Sequence, residues 1–252
     1  MTCWPRASWK EPMYQYKLKG RTFDFKTKDG VFYPTDTSEL LISGSVKAIK
    51  KPGSFLDLGC GSGVIGIVLA KLGLIDPPIH ASDLSDDAVA LAEENSKSHG
   101  YKMVAKIGPL FEPWKGRKFD IIVDDVPGIT EEVAAFSQWF SKGVPCMSGD
   151  DGTSLVNRVI EEAPDHLNAG GIFIFPILSL SDTDKLIQTA QKNFKCVERV
   201  LRRMWSLPDE MKPHTDFLKK LHQEKKIRLE EKFGMVLWYT EVYCASNPRK
   251  GE

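Results

Sequence analysis

Seven residues, DLGCGSG at 57–63, hold three glycines and one acid directly after the apolar run SFLDL. Glycines at such a turn let a ligand approach the main chain, and a helix starting on them aims its free N–H groups at that ligand. More acids fall where strands should end: Asp83 in PIHASD, twenty residues beyond Gly63, and the pair Asp124-Asp125 in KFDIIVDDVPGI. Acids at the carboxyl ends of buried strands face the crevice in which open α/β sheets bind ligands. The chemistry on offer is recognition by carboxylates and bare backbone. None of the five histidines has a ligand-like spacing.

Loops of this kind take either a dinucleotide or S-adenosylmethionine. The dinucleotide pattern GxGxxG needs glycines at 59, 61 and 64, but the third glycine is Gly63 and position 64 is valine. Asp57, two residues ahead of Gly59, would repel a pyrophosphate and attract a sulfonium or an ammonium. Asp83 stands where an acid can take both ribose hydroxyls. These three features favour S-adenosylmethionine over a nucleotide-dependent oxidoreductase, with Cys60 and Ser62 as spacers.

In these residues the chain resembles the class I S-adenosylmethionine-dependent methyltransferases. DLGCGSG matches their first motif, and ASDLSDDAVALAEEN matches their second, with Asn95 where a helix asparagine is common. The likeness covers roughly residues 54–178. It implies an α/β, Rossmann-like sheet in the order 3-2-1-4-5-7-6, counted from SFLDL, with strand seven antiparallel and helices on both faces. It implies cofactor contacts at Asp57, Gly59, Cys60, Gly61, Gly63, Asp83, Leu84, Leu110 and Asp124.

DDVPG resembles the NPPY-type motif of enzymes that methylate planar nitrogens, with Asp125 at its first position, Val126 and Pro127 for the prolines and Gly128 for the aromatic residue. YPTDTSELL (33–41) and SGDDGTSLVNRVIEEAPDHLNAGG (148–171) resemble the PRPETELL and GGxDG segments of the HemK-like branch, which methylates protein glutamine amides. The likeness makes Asp125, Val126 and Pro127 the catalytic positions. Asp125 would accept the N–H bonds of the acceptor nitrogen, helped by the Val126 carbonyl. Gly128 removes the stacking platform, which Phe32, Tyr33 or Trp114 would have to replace. Aspartate in place of asparagine removes an amide donor, and Pro109 stands where an acid often meets the adenine.

The helical domain that release-factor-methylating members carry does not fit in the fifty residues ahead of the loop. The expected acceptor is therefore an exocyclic amine or amide nitrogen of RNA, protein or a small molecule, not a release factor. A non-catalytic module that binds the cofactor but has lost the acceptor site is the alternative. Asp124, Asp125, Asp150 and Asp151 form a lesser candidate for a metal site; no metal is expected.

These residues need an alternating scaffold, and the chain supplies one. YQYKLKGRTFDFKTKDG alternates around Lys19-Gly20 as a hairpin, and a helix is expected over about 37–50. Strands SFLDL, PIHASD, KMVAKI, KFDIIVDD, IFIFPIL and FKCVERVLRRM then alternate with helices over 62–73, 86–100, 151–168 and 181–193. That order predicts a largely parallel sheet. A helix over 213–225 and a hairpin turning near Phe233-Gly234 close the chain. The division expected is residues 1–50 as a cover and 51–252 as the cofactor domain, with a helical insertion at about 207–226.

Composition bounds the rest. With 252 residues, 42% hydrophobic and 27% charged, the chain is an ordinary globular one. No apolar run approaches the ~20 residues of a membrane span, and the opening MTCWPRASWKEP lacks a secretory stretch. Cysteines 3, 60, 146, 196 and 244 are odd in number and without a CxxC pair, as in a cytoplasmic protein with reduced thiols. Formal net charge is zero, but residues 1–51 hold ten Lys/Arg against five acids. That balance gives no support to strong nucleic-acid binding, and oligomeric state is not legible.

Overall fold

The structure, a computed structural model, describes residues 13–18, 20–139 and 148–249. Residues 1–12, Lys19 of the expected turn, Cys3 and Cys146 lie outside the described residues.

The expected hairpin forms. β1 (Met13–Leu18) and β2 (Arg21–Lys26) pair antiparallel, with Leu18 opposite Arg21. Period-two alternation puts Tyr14, Tyr16, Phe23 and Phe25 on one buried face. They share an apolar cluster with Leu40, Leu41 and Ile42 of α1 (Asp36–Ala48) and with much of α2 (Val64–Lys71). Helix α1 starts two residues after Pro34 and ends at Ile49, which turns extended ahead of Pro52.

The main sheet contains β3 (Ser54–Leu58), β4 (Asp76–Asp83), β5 (Met103–Ile107), β6 (Phe119–Asp124), β7 (Leu167–Leu178), β8 (Phe194–Ser206) and β10 (Met235–Pro248); the short β9 (Glu230–Lys232) pairs with β10. Its order is β5-β4-β3-β6-β7-β10-β8. The strands from β5 to β7 run parallel, and β10 is antiparallel to both β7 and β8. This is the order and polarity that the family resemblance implies.

The central strands are apolar on both sides because helices cover both faces. Phe55, Ile121, Val123 and Ile174 face the layer of α1 and α2. Leu56, Ile122, Phe173 and Phe175 face the other layer, built from α5 (Ser154–Glu162) and α6 (Thr183–Asn193). Helix α3 (Asp86–Ser98) packs beside β5 and β4.

Two elements depart from expectation. The helix expected over 151–168 is only α5, followed by a 3-10 turn at Ala163–His166. Pro164 cannot continue the helix, and Asn168 to Gly171 already belong to β7, where Gly170 takes φ 75° and the register with β6 shifts. A one-turn helix, α4 (Glu131–Ala134), was not foreseen; Thr130 caps it by accepting the Val133 N–H. The helix near 213–225 is α7 (Thr215–Gln223), and it buries Leu218 and Leu221 against Ile129, Val133 and Trp238. It packs on the carboxyl edge of the sheet as part of a third apolar cluster.

Gly44 lets α1 lie directly on β10. A Cβ at that position would sit 2.5 Å from Val242 Cγ1 and 3.0 Å from its Cβ. Gly44→Ala is expected to cost about 1–3 kcal/mol of stability, and adding Val242→Ala to restore part of it. Urea unfolding of the single and double variants checks this.

Candidate active site

Three neighbouring parallel strands, β4, β3 and β6, end side by side, and each brings acid to the same edge. Asp83 closes β4, Asp57 is one residue from the end of β3, and Asp124-Asp125 closes β6. The glycine loop runs between them. Its Gly59 and Cys60 N–H groups both donate to Ser82 O, at 2.9 and 3.1 Å, and Asp125 N–H donates to Leu58 O at 3.0 Å.

The loop glycines have distinct duties. Gly59 has φ 68°, and a Cβ there would meet Asp125 O and Val126 Cγ1 at 3.2 Å. Its bareness lets the exit of β6 lie against the loop. Gly63 has φ 79° just ahead of α2, where a Cβ would press on Ala92 of α3 at 3.1 Å. Asn95, buried on α3, ties the loop to the hairpin: its amide donates to Ser62 O at 2.9 Å and Lys26 O at 3.1 Å, and its oxygen accepts the Lys26 N–H.

A cavity of about 690 Å³ opens along this edge. Of the residues nominated from sequence, Gly59, Asp83, Leu84, Leu110, Asp125, Val126 and Pro127 line it. Asp57, Cys60, Gly61, Gly63 and Asp124 do not. Asp83 is fixed at both oxygens, Oδ2 accepting from Gly61 N–H and Oδ1 from Ser85 N–H, each at 3.0 Å. The Cys60 side chain belongs to the apolar core, and burial pushes its thiol well above the usual range.

Asp57 points away from the cavity, on the same side of β3 as Phe55, and its Oδ2 accepts the Gly66 N–H of α2 at 3.2 Å. Burial pushes its carboxyl up to about 8, and the charges of Asp125 and Asp83 push the same way. Asp124, on the opposite side, accepts the Val126 N–H at 3.1 Å, and burial holds its carboxyl well above the usual range. Asp57 Oδ1 and Asp124 Oδ2 are buried with no hydrogen-bond partner.

Asp125 is different. It is half-buried, and its Oδ2 accepts a 2.8 Å hydrogen bond from Ser38 Oγ in the first turn of α1. No described residue donates to Oδ1. Burial raises its carboxyl to about 6, against the opposing effect of Ser38. Ser38 falls in the helix expected over about 37–50, with no role expected of its side chain. The signal was its place in YPTDTSELL, the segment whose neighbours Thr35, Asp36 and Thr37 also line the cavity.

The following loop is braced by SGDDG. Ser148 Oγ donates to Pro127 O at 2.6 Å, and Gly152, at φ 71°, leaves room for Ile129, whose carbonyl carbon would be 2.5 Å from a Cβ. Asp150 and Asp151 are paired with Lys226 and Lys185 and do not join Asp124 and Asp125. Among the described residues no acidic, histidine or cysteine group is arranged to hold a metal ion.

Of the proposed substitute platforms, Phe32 lines the cavity, Tyr33 is exposed and edge-on to Tyr14, and Trp114 is core. Trp114 packs edge-on against His80 and Phe119, and His80 is a core residue. No sequence pattern foretells that Trp139, Trp205 and Trp238 line the far half of the cavity.

A family model described as "Methyltransferase domain" matches residues 49–232. The release factor glutamine methyltransferase of Geobacter sulfurreducens is 31% identical over 173 residues, 66% of this chain and 60% of that protein. The ribosomal protein uL3 glutamine methyltransferase of Xanthomonas campestris is 37% identical over 125 residues, 47% of this chain and 40% of that protein. The chain thus spans about 60% or less of the length of these curated relatives. Among solved structures, the T. Thermophilus 16S rRNA N2 G1207 methyltransferase superposes with a TM-score of 0.58 at 15% identity, over 94% of this chain and 50% of that one. The ribosomal protein L11 methylase of Lactobacillus delbrueckii gives 0.54 at 21% identity, over 84% and 80%. At these identities the likeness is one of fold.

A carboxyl whose folded pKa lies above its unfolded value stabilises fully below the unfolded value and loses that contribution as pH rises through the folded one. For Asp57 the window runs from the ordinary 3.8 to about 8. Asp57→Asn, which keeps an oxygen for Gly66, is expected to gain stability relative to the wild type across that window, by ~2–4 °C in Tm per kcal/mol. Parallel thermal melts from pH 4 to 8 without added ligand check it; parallel curves would refute it.

Proposed function

The chain belongs to the methyltransferase-domain family, and from that membership we propose that it moves a methyl group from S-adenosylmethionine to a nitrogen bearing N–H bonds, an amide or an exocyclic amine. The observation that carries the reading is Asp125: a carboxylate at the exit of β6, steadied by Ser38, with one oxygen left to the cavity that Asp83 and the glycine loop also border. The relatives named for glutamine methylation act on such an amide nitrogen.

The residues present fit the cofactor. Gly59 leaves a bare stretch of main chain that a Cβ would fill. Asp83, with each oxygen held by a single backbone N–H, keeps lone pairs for the two ribose hydroxyls. Leu84 is half-exposed and Leu110 is held at φ 47°, and both offer apolar surface at the same end of the cavity. Asp83 and Asp125 at the cavity surface offer carboxylate oxygens to a cation, with the unpartnered buried oxygens of Asp57 and Asp124 behind the loop. When bound, the cofactor supplies the methyl: its S–C bond breaks with the electron pair leaving on sulfur as the acceptor nitrogen forms the N–C bond.

The chain's own residues then have two tasks. Asp125 Oδ1 accepts an N–H of the acceptor, fixing the nitrogen in place and drawing electron density toward it. The same oxygen takes the proton that nitrogen gives up. Ser38 keeps Oδ2 from rotating into that role and favours the ionised form. Val126 and Pro127 form the adjoining wall, and the Ser148 hydrogen bond fixes the Pro127 carbonyl.

Asp83→Ala is expected to weaken S-adenosylmethionine binding by ~10–100-fold, the worth of hydrogen bonds to a charged group. Asp125→Asn is expected to spare that binding and lower methyl transfer by ~100-fold or more. Calorimetry together with tritiated-methyl transfer to fractionated cell extract separates the two. Equal loss of binding in both variants would reject this division of labour.

A further inference from the structure

The cavity continues past Asp125 into a second half whose chemistry is unlike the first. Trp205 of β8 and Trp238 of β10 are direct cross-strand partners, and their rings stack at 4.8 Å with 25° between planes. Trp139 joins Trp238 at 5.0 Å and 45°. The Trp238 indole N–H is tied to Ser206 O at 3.2 Å, so the polar end of that ring is already engaged. Leu178, Ile129 and Pro208 complete an apolar wall.

This wall stands where a stacking residue is missing from the DDVPG loop. A Cβ on Gly128 would be 3.1 Å from Val156 Cγ2, so a side chain at that position would crowd α5. The aromatic surface beside the loop lies instead at the β8–β10 edge. Trp238 is itself buried, so the surface on offer comes from the part-exposed Trp139 and Trp205 packed on it, and it suits a flat ring system better than a side-chain amide. At the near end Asp125 Oδ1 selects for an N–H edge.

We propose that this half of the cavity seats a planar, amino-substituted heteroaromatic ring, its face against the indole wall of Trp139, Trp205 and Trp238 and its amine on Asp125. The assignment rests on the methyl-transfer reading and narrows its acceptor: the nitrogen receiving the methyl is an exocyclic amine on a ring, not the amide of a glutamine side chain. Two independent demands define the acceptor, hydrogen-bond donation at one end and stacking area at the other.

The test uses the whole chain saturated with S-adenosylhomocysteine, whose own affinity is measured first. Guanosine and inosine, then cytidine and uridine, are titrated while tryptophan fluorescence is followed with excitation at the red edge of the indole band. In each pair only the first member carries an exocyclic amine. At least one aminated member is expected to bind ~5–10-fold more tightly than its partner, the worth of one hydrogen bond. Trp205→Leu, at a part-exposed position, and separately Trp139→Leu are expected to weaken that ligand ~10-fold, the order of one lost base–aromatic stack, with S-adenosylhomocysteine affinity unchanged. The same rings in a short single-stranded RNA separate a polymer-borne acceptor from a free one, and preference for either form sustains the proposal. Four results overturn it: no saturable binding of any nucleoside, no preference for the amine, indifference to both tryptophan variants, or binding of a Gly-Gly-Gln peptide in their place. Failure of the wild type to bind S-adenosylhomocysteine would sink the methyl-transfer reading as well.

Discussion

Four carboxyl groups meet at the ends of three adjacent strands, and the rest of the site is arranged around the burial that holds protons on Asp57, Asp124 and Asp125. A parallel sheet forces this crowding, because side-by-side strands deliver their last residues to one edge. Asp57 and Asp124 point to opposite sides of the sheet, and each keeps one buried oxygen without a partner. Burial drives both carboxyls toward the neutral form. Asp83 and Asp125 stay at the cavity surface, where backbone N–H groups and Ser38 hold them. Such an arrangement is poorly satisfied in isolation and well satisfied by a cation at the loop, which ties the electrostatics of the fold to the ligand it takes.

Positioning comes from packing some distance away. Ser38 reaches Asp125 because α1 lies on β10, and α1 lies there because Gly44 has no side chain to meet Val242. The loop after β6 is held from the other side by Ser148 on the Pro127 carbonyl and by Gly152 under Ile129. Asn95 fastens the glycine loop to the hairpin. The reacting edge is therefore clamped by four segments distant in sequence, and the cavity between them divides into an acid-lined half and an indole-lined half.

Much of this was legible in the chain. The strands, the loop and Asp83 could be read because short contiguous stretches carry both the element and its chemistry, whereas the strand order came from the family resemblance. Asp57 was harder: its type and spacing announce a charged partner for the ligand, but strand alternation turns it beneath the loop toward Gly66. Cys60, in the loop itself, also turns its side chain into the core. Trp114 was nominated as a platform and is core, because its 3-10 turn folds it over His80 and Phe119. The indole wall was invisible for the opposite reason. Trp139, Trp205 and Trp238 sit in three separate segments, and only the antiparallel pairing of β10 with β8 and the packing of α7 bring them to one edge. Helix α4 escaped notice because a single turn leaves no periodicity to read.

The crowded carboxyls are thus expected to stay partly protonated until a cation enters the cavity. Calorimetry of S-adenosylmethionine binding at pH 7, repeated in buffers of different ionisation enthalpy, counts the protons exchanged. With Asp57 raised to about 8 and Asp125 to about 6, binding is predicted to release a substantial fraction of a proton, up to about one. The neutral thioether S-adenosylhomocysteine should release less. Observed heats that do not vary with buffer, or proton uptake in place of release, would contradict the account.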